Sequence, residues 1–147
     1  MSFTQITPEQ AKRRLDAADG TVYLDVRTAP EFQQGHVPGA FNIPVAEVNP
    51  AAGRMELRAD FVSLVQKHLP KDAKIVMGCK TGGRSMTACQ LLAEVGYTDL
   101  ANLVGGFMGI ADAKGTVTQE GWSTLGYPIE RGPAPGRDFA SLSAART

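Results

Sequence analysis

Cysteine is scarce in this chain. Cys79 and Cys89 are the two in 147 residues, and neither sits in a C-x-x-C or Cys/His zinc spacing. That pattern excludes a disulfide framework, and a reducing, cytoplasmic setting is the simplest expectation. Charge of one sign is also missing. Fifteen Lys plus Arg balance fifteen Asp plus Glu, so bulk charge points to no nucleic-acid partner and no membrane partner. No apolar run approaches the length of a membrane span. The first residues, MSFTQITPEQAKRRLDA, lack the apolar stretch of a secretory leader, and Glu9 and Asp16 argue against a transit peptide. The apolar fraction of 43% is that of an ordinary globular protein, and the length suits one domain with a core that needs no staples.

Strand-like and helical segments alternate along the chain. Thr7-Pro8-Glu9-Gln10 predicts a capped helix start, with Ala11, Leu15 and Ala18 at helical spacing and Gly20 as its stop. Residues 21–26 read as a buried strand, 28–34 as a short helix, 35–40 as a turn and 41–44 as a very short strand. Residues 45–56, with Pro50 and Gly53, show no period and read as a loop. An amphipathic helix is expected over 57–69 and a buried strand over 74–77. A tight loop then leads to a helix that Ser85 opens and Gly96 ends. Residues 102–104 form a further strand, followed by Gly105-Gly106 and a helical stretch into Ala113. Residues 114–126 are turn-rich, and Tyr127 to Glu130 packs back. Residues 131–147, rich in Gly, Pro, Ser and Ala, are expected as a poorly ordered tail behind one domain over 1–130. The alternation predicts an α/β fold with a central, mainly parallel sheet of about five short strands and helices on both faces. In such sheets ligands sit beyond the C-terminal strand ends.

One such end carries Met77-Gly-Cys-Lys-Thr-Gly-Gly-Arg-Ser85. In a strand–loop–helix unit the loop N–H groups point into the space the loop encloses, and Gly82 and Gly83 permit close approach. A helix N-terminus favours negative charge by about 0.3–1 kcal/mol, and up to ~2 when partly buried. Lys80 and Arg84 add to this, so the pattern predicts that Cys79 is a thiolate nucleophile. Three guests fit such a loop. The stretch from Gly78 reads GxxxxG-R-S, close to the phosphate loop GxxxxGK[ST], but Arg84 stands where that motif needs Lys. Cys-dependent phosphatases and arsenate reductases commonly place five residues between Cys and Arg, whereas four stand here. A shorter ring suits a smaller guest, such as the outer sulfur of a persulfide.

Cys79-Lys-Thr-Gly-Gly-Arg-Ser85 resembles the CxxGxRS loop of single-domain rhodaneses, the thiosulfate sulfurtransferases. Leu24-Asp-Val-Arg27, Glu31-Phe32, Gly35 to Ala40 with Asn42-Ile43-Pro44, and Asn102-Leu-Val-Gly-Gly106-Phe107 are similar to that family's other segments. The resemblance spans residues 5 to 112 in order. It implies that Cys79 takes the outer sulfur of thiosulfate, releases sulfite, and passes the sulfur to cyanide or to a thiol such as glutathione or thioredoxin, with no metal and no organic cofactor. Lys80, Thr81, Gly82, Gly83, Arg84 and Ser85 become the substrate-binding loop, with Lys80 and Arg84 drawing the sulfite end. A sulfur-relay or regulatory domain of the same family is the competing expectation, and Cys-dependent phosphatase or arsenate-reductase chemistry a further one. The family usually carries Trp soon after its Gly-Gly pair. Here Trp122 comes later, so residues 110–120 look like an insertion.

Several residues have plainer readings. Asp25 and Arg27 are expected as an ion pair supporting nearby loops, and His36 as a turn residue bonded to backbone. Cys89 is expected to face the core, with a resolving role as the alternative. Arg54 is expected to overhang the pocket as an anion guide, and Gly105 and Gly106 to be close-packing turn residues.

Overall fold

The computed structural model describes residues 3–144. The strands are β1 (Thr4–Ile6), β2 (Val22–Asp25), β3 (Phe41–Asn42), β4 (Ala46–Asn49), β5 (Arg54–Leu57), β6 (Lys74–Gly78), β7 (Asp99–Leu103), β8 (Ile110–Ala111) and β9 (Val117–Gln119). The helices are α1 (Pro8–Asp16), α2 (Ala29–Gln34), α3 (Phe61–His68), α4 (Gly83–Glu94) and α5 (Phe139–Ala144). The central sheet has five strands in the order β1-β7-β6-β2-β3, every pair parallel. No helix among the described residues is long and apolar enough to cross a membrane.

Side chains alternate across the sheet as strand geometry requires. Leu24, Ile75, Met77 and Leu100 face one core with Phe61 and Val65 of α3, Ala88, Cys89 and Leu92 of α4, and Leu142 of α5. Tyr23, Val76, Ala101 and Leu103 face the other core with Ala11 of α1, Phe32 of α2 and Trp122. Helices therefore cover both faces, as expected. The capping box at α1 also forms: Gln10 N–H donates to Thr7 Oγ1 at 3.2 Å, and Thr7 N–H to Gln10 Oε1 at 2.9 Å.

The structure differs from the sequence reading in four places. The edge strand β1, too short and polar for a pattern to show, pairs with β7 through Gln5↔Asn102. Residues 45–56 are not a loop: β4 and β5 form an antiparallel hairpin, so α3 starts at Phe61 rather than Leu57. Val48 and Met55 face each other in that register, and the alternation is period two. The helical stretch expected into Ala113 is instead the hairpin β8–β9. Asp112 Oδ1 turns the chain there by accepting the N–H groups of Lys114 and Thr116, each at 2.9 Å. The segment expected as a loose tail packs onto the body. Arg137 C=O accepts Asn42 N–H at 2.9 Å, Leu142 is buried, and the Arg58 guanidinium lies 4.7 Å above the Phe139 ring. Its Gly and Pro content conceals three apolar anchors, Ala134, Phe139 and Leu142. Residues 145–147 of that expected tail lie outside the described residues.

Candidate active site

The loop between β6 and α4 lies at the C-terminal edge of the sheet. Cys79 follows β6 directly, and α4 begins at Gly83 with Gly82 as N-cap. Gly82 has φ +118°, a conformation that strains any side chain. This bend aims the Gly82 N–H at Cys79 Sγ, 3.1 Å away. Ser85, one turn later, sets its Oγ 3.4 Å from the same sulfur. The sulfur thus lies at the positive end of a 12-residue helix, facing the Gly82 N–H and the Ser85 hydroxyl. Cys79 is only 1% exposed. Among the described residues, the expected series of donors from Lys80 to Ser85 narrows at the sulfur to Gly82 and Ser85. Thr81 stands exposed, and a side chain at Gly83 would meet open space. Cys89 sits in the apolar core, where burial and then the charge of Cys79 push its thiol up to about 12. That thiol stays protonated.

The loop rests on the turn after β7. Phe107 N–H donates to Cys79 C=O at 2.7 Å, and Met108 N–H to Lys80 C=O at 2.9 Å. These bonds bring the backbone so close that a Cβ at Gly106 would lie 2.5 Å from Cys79 O. Gly105 and Gly106 are close-packing residues, as expected, and they form the floor of the site.

Arg84 does not face the sulfur freely. Its guanidinium grips Glu31 with both nitrogens, at 2.8 and 3.1 Å. Burial alone would raise the Glu31 carboxyl. The bonds from Arg84 and from Thr28 outweigh it and hold the carboxyl at about 2. Arg84 therefore ties the loop to α2, and its charge is matched before any anion arrives. Asp25 and Arg27 form the expected pair, buried, with Nη2 to Oδ2 at 2.7 Å. The Arg27 guanidinium also donates to Gly35 C=O at 2.7 Å and lies 4.5 Å above the Phe107 ring. His36 stacks on Phe32, with Nδ1 2.8 Å from Phe32 C=O and Nε2 3.3 Å from Glu130 Oε1. It turns toward α2 and Glu130, as its plain reading expects. Arg54 stands exposed on β5 beside Glu56, at 3.5 Å, and does not line the site.

Beside the loop opens a cleft of about 460 Å³, with Lys80, Arg27 and Arg131 as its cations and Phe107, Met108 and Ile129 as its apolar wall. With Arg27 matched by Asp25 and Arg84 by Glu31, Lys80 and Arg131 supply its uncompensated positive charge among the described residues. Residues 7–113 match the family described as Rhodanese-like domain. The chain belongs to the rhodanese-like family.

Rhodanese-like relatives agree over most of the length. The chain is 42% identical over 88 residues to Thiosulfate sulfurtransferase 16, chloroplastic, of Arabidopsis thaliana, covering 60% of this chain and 72% of that protein. It is 31% identical over 130 residues to Thiosulfate sulfurtransferase GlpE of Actinobacillus succinogenes, covering 88% and 93%. Among solved structures, Rv0390 from M. tuberculosis superposes with a TM-score of 0.73 at 26% identity, over 89% of this chain and 98% of that one. Within this rhodanese-like site, two residues escaped a functional reading from sequence. Glu31 had a signal, the Thr28-x-x-Glu31 capping spacing, which accounts for only part of its bonding. Asn102 had none, since its position beside Ser85 depends on how β7 packs against α4.

Proposed function

We propose that the protein is a thiosulfate sulfurtransferase working through a persulfide on Cys79. The observation that carries this is the Gly82 N–H 3.1 Å from Sγ, with the Ser85 hydroxyl at 3.4 Å able to turn its hydrogen to the sulfur, at the start of α4. Such donors stabilise a sulfur anion, as an oxyanion hole does for oxygen. The Cys79 thiolate attacks the outer sulfur of thiosulfate. The sulfur–sulfur bond of the donor breaks, and sulfite leaves with the bonding pair. Cyanide or an acceptor thiolate then attacks the outer sulfur of the persulfide and returns Cys79 as a thiolate. Lys80 and Arg131, unmatched cations of the cleft, draw the anionic donor. No general base is needed, which agrees with His36 facing Phe32. The cycle requires a reduced Cys79 and suits a reducing compartment such as the cytoplasm.

The cleft volume supports one refinement. About 460 Å³ with an apolar wall exceeds what thiosulfate fills, which favours a larger thiol, such as glutathione or a thioredoxin-like protein, as acceptor. Mass spectrometry after exposure to thiosulfate tests the central claim. One added sulfur (about 32 Da) is expected on Cys79, and none in the Cys79→Ser protein. Thiocyanate formed equally by wild type and Cys79→Ser refutes it.

A further inference from the structure

Ser85 Oγ has one hydrogen and three neighbours that could receive it. They are Asn102 Oδ1 at 2.5 Å, Gly82 C=O at 3.1 Å and Cys79 Sγ at 3.4 Å. Asn102 is 2% exposed, and its amide nitrogen donates to Gln5 Oε1 at 2.8 Å. Gln5 is its partner across the β1–β7 register and is exposed to solvent. In this arrangement Asn102 takes the Ser85 hydrogen, and the hydroxyl presents lone pairs to the sulfur. That suits a protonated thiol, whose S–H can donate to Oγ. It does not suit a thiolate, which needs the hydrogen for itself.

A half-turn of both amides reverses the polarity without moving a heavy-atom position, because amide oxygen and nitrogen are nearly equal in shape. Asn102 Nδ2 then donates to Ser85 Oγ, and Gln5 Nε2 donates to Asn102 Oδ1. The Ser85 hydrogen is released to Gly82 C=O or the sulfur, and the charged acceptor makes the stronger bond. Gln5, at the surface, can turn at little cost. We propose that Asn102, backed by Gln5, is a positioning residue that sets the direction of the Ser85 hydroxyl and thereby favours the Cys79 thiolate. The proposal rests on reading Cys79 as an ionised nucleophile, but its test needs no sulfur transfer.

Gln5→Glu provides that test from a solvent-exposed position. An ionised Glu only accepts, so it holds Asn102 Nδ2 toward itself and leaves Oδ1 on Ser85. Thiolate ultraviolet absorbance is titrated with pH in each protein, against the same protein carrying Cys79→Ser. Gln5→Glu is expected to move the Cys79 midpoint up by about one pH unit, a tenfold loss of thiolate. Ser85→Ala moves it similarly, and the double variant moves no further than Ser85→Ala alone. Gln5→Met, which cannot donate or accept through an amide, stays near wild type. An equal shift from Gln5→Glu with and without the Ser85 hydroxyl means through-space charge and overturns the proposal. So does an unmoved midpoint in Gln5→Glu, or a full shift in Gln5→Met. A protein that titrates as expected yet gains no sulfur from thiosulfate refutes the sulfurtransferase reading and leaves the positioning role standing.

Discussion

Gly106→Ala strikes the floor of the site directly. Gly106 has φ +59°, and an added Cβ there would lie 2.5 Å from Cys79 O and 2.8 Å from the Lys80 carbonyl carbon and oxygen. These are backbone atoms, so no side-chain tip can swing aside. They are also tied in place, since Cys79 C=O accepts Phe107 N–H at 2.7 Å and Lys80 C=O accepts Met108 N–H at 2.9 Å. Relief to even 3.0 Å requires the loop and the turn to part by about 0.5 Å. Left-handed alanine costs roughly 1–2 kcal/mol, and overpacking a tied contact about 1–3 more. The expected loss is therefore about 2–5 kcal/mol out of a total stability of about 5–15. Gly39→Ala is the control, because Gly39 has φ +81° with nothing within 4 Å of the added carbon, and it should lose only the conformational part. Urea unfolding followed by fluorescence reads both variants, since Trp122 is the one tryptophan and its backbone N–H donates to Gly106 C=O at 3.0 Å. Sulfur transfer by Gly106→Ala should also fall about ten- to a hundredfold, as misplacement of the Cys79 loop implies. If Gly106→Ala loses no more stability than Gly39→Ala, the collision does not exist and the account of the floor is wrong.

Three further outcomes follow from the same geometry. Gly83→Ala is expected to gain about 0.5–1 kcal/mol, because the added carbon meets nothing within 4 Å at the first residue of α4; a loss in thermal unfolding contradicts this. Glu31 falls from 4.5 to about 2 on folding, so its stabilisation is fully present above pH 4.5 and is lost as pH drops toward 2. Glu31→Gln should be less stable than wild type by about 1–2 kcal/mol near neutrality, allowing for its partial exposure, with the gap closing in acid; a gap that persists at low pH counts against the Arg84 pairing. Lys80→Ala should raise KM for thiosulfate several-fold with little change in kcat, since Lys80 acts as a cation at the cleft rather than on the sulfur. A fall in kcat at constant KM, measured in steady state with cyanide, points to a different role.

Local chemistry carried the sequence a long way here. The cap at Thr7, the buried runs of β2 and β6, and the loop from Cys79 to Ser85 depend on neighbours within a few residues, so spacing alone exposes them. The α/β alternation followed from the same local periods. Folding decided what depends on distant partners. Whether Arg84 meets a substrate or Glu31, 53 positions away, is set by where α2 lies over the loop. Whether residues 131–144 hang free or cover β3 depends on Leu142 and Phe139 finding α3 and Arg58. Asn102 and Gln5 read as unremarkable polar strand residues until a parallel register 97 positions apart sets them side by side, next to Ser85. The candidate nucleophile was legible in the sequence, because a cysteine between a strand and a glycine-led helix start is a local pattern. The surroundings that tune it were decided only by tertiary structure, because a hydrogen bond across strands has no trace in local spacing.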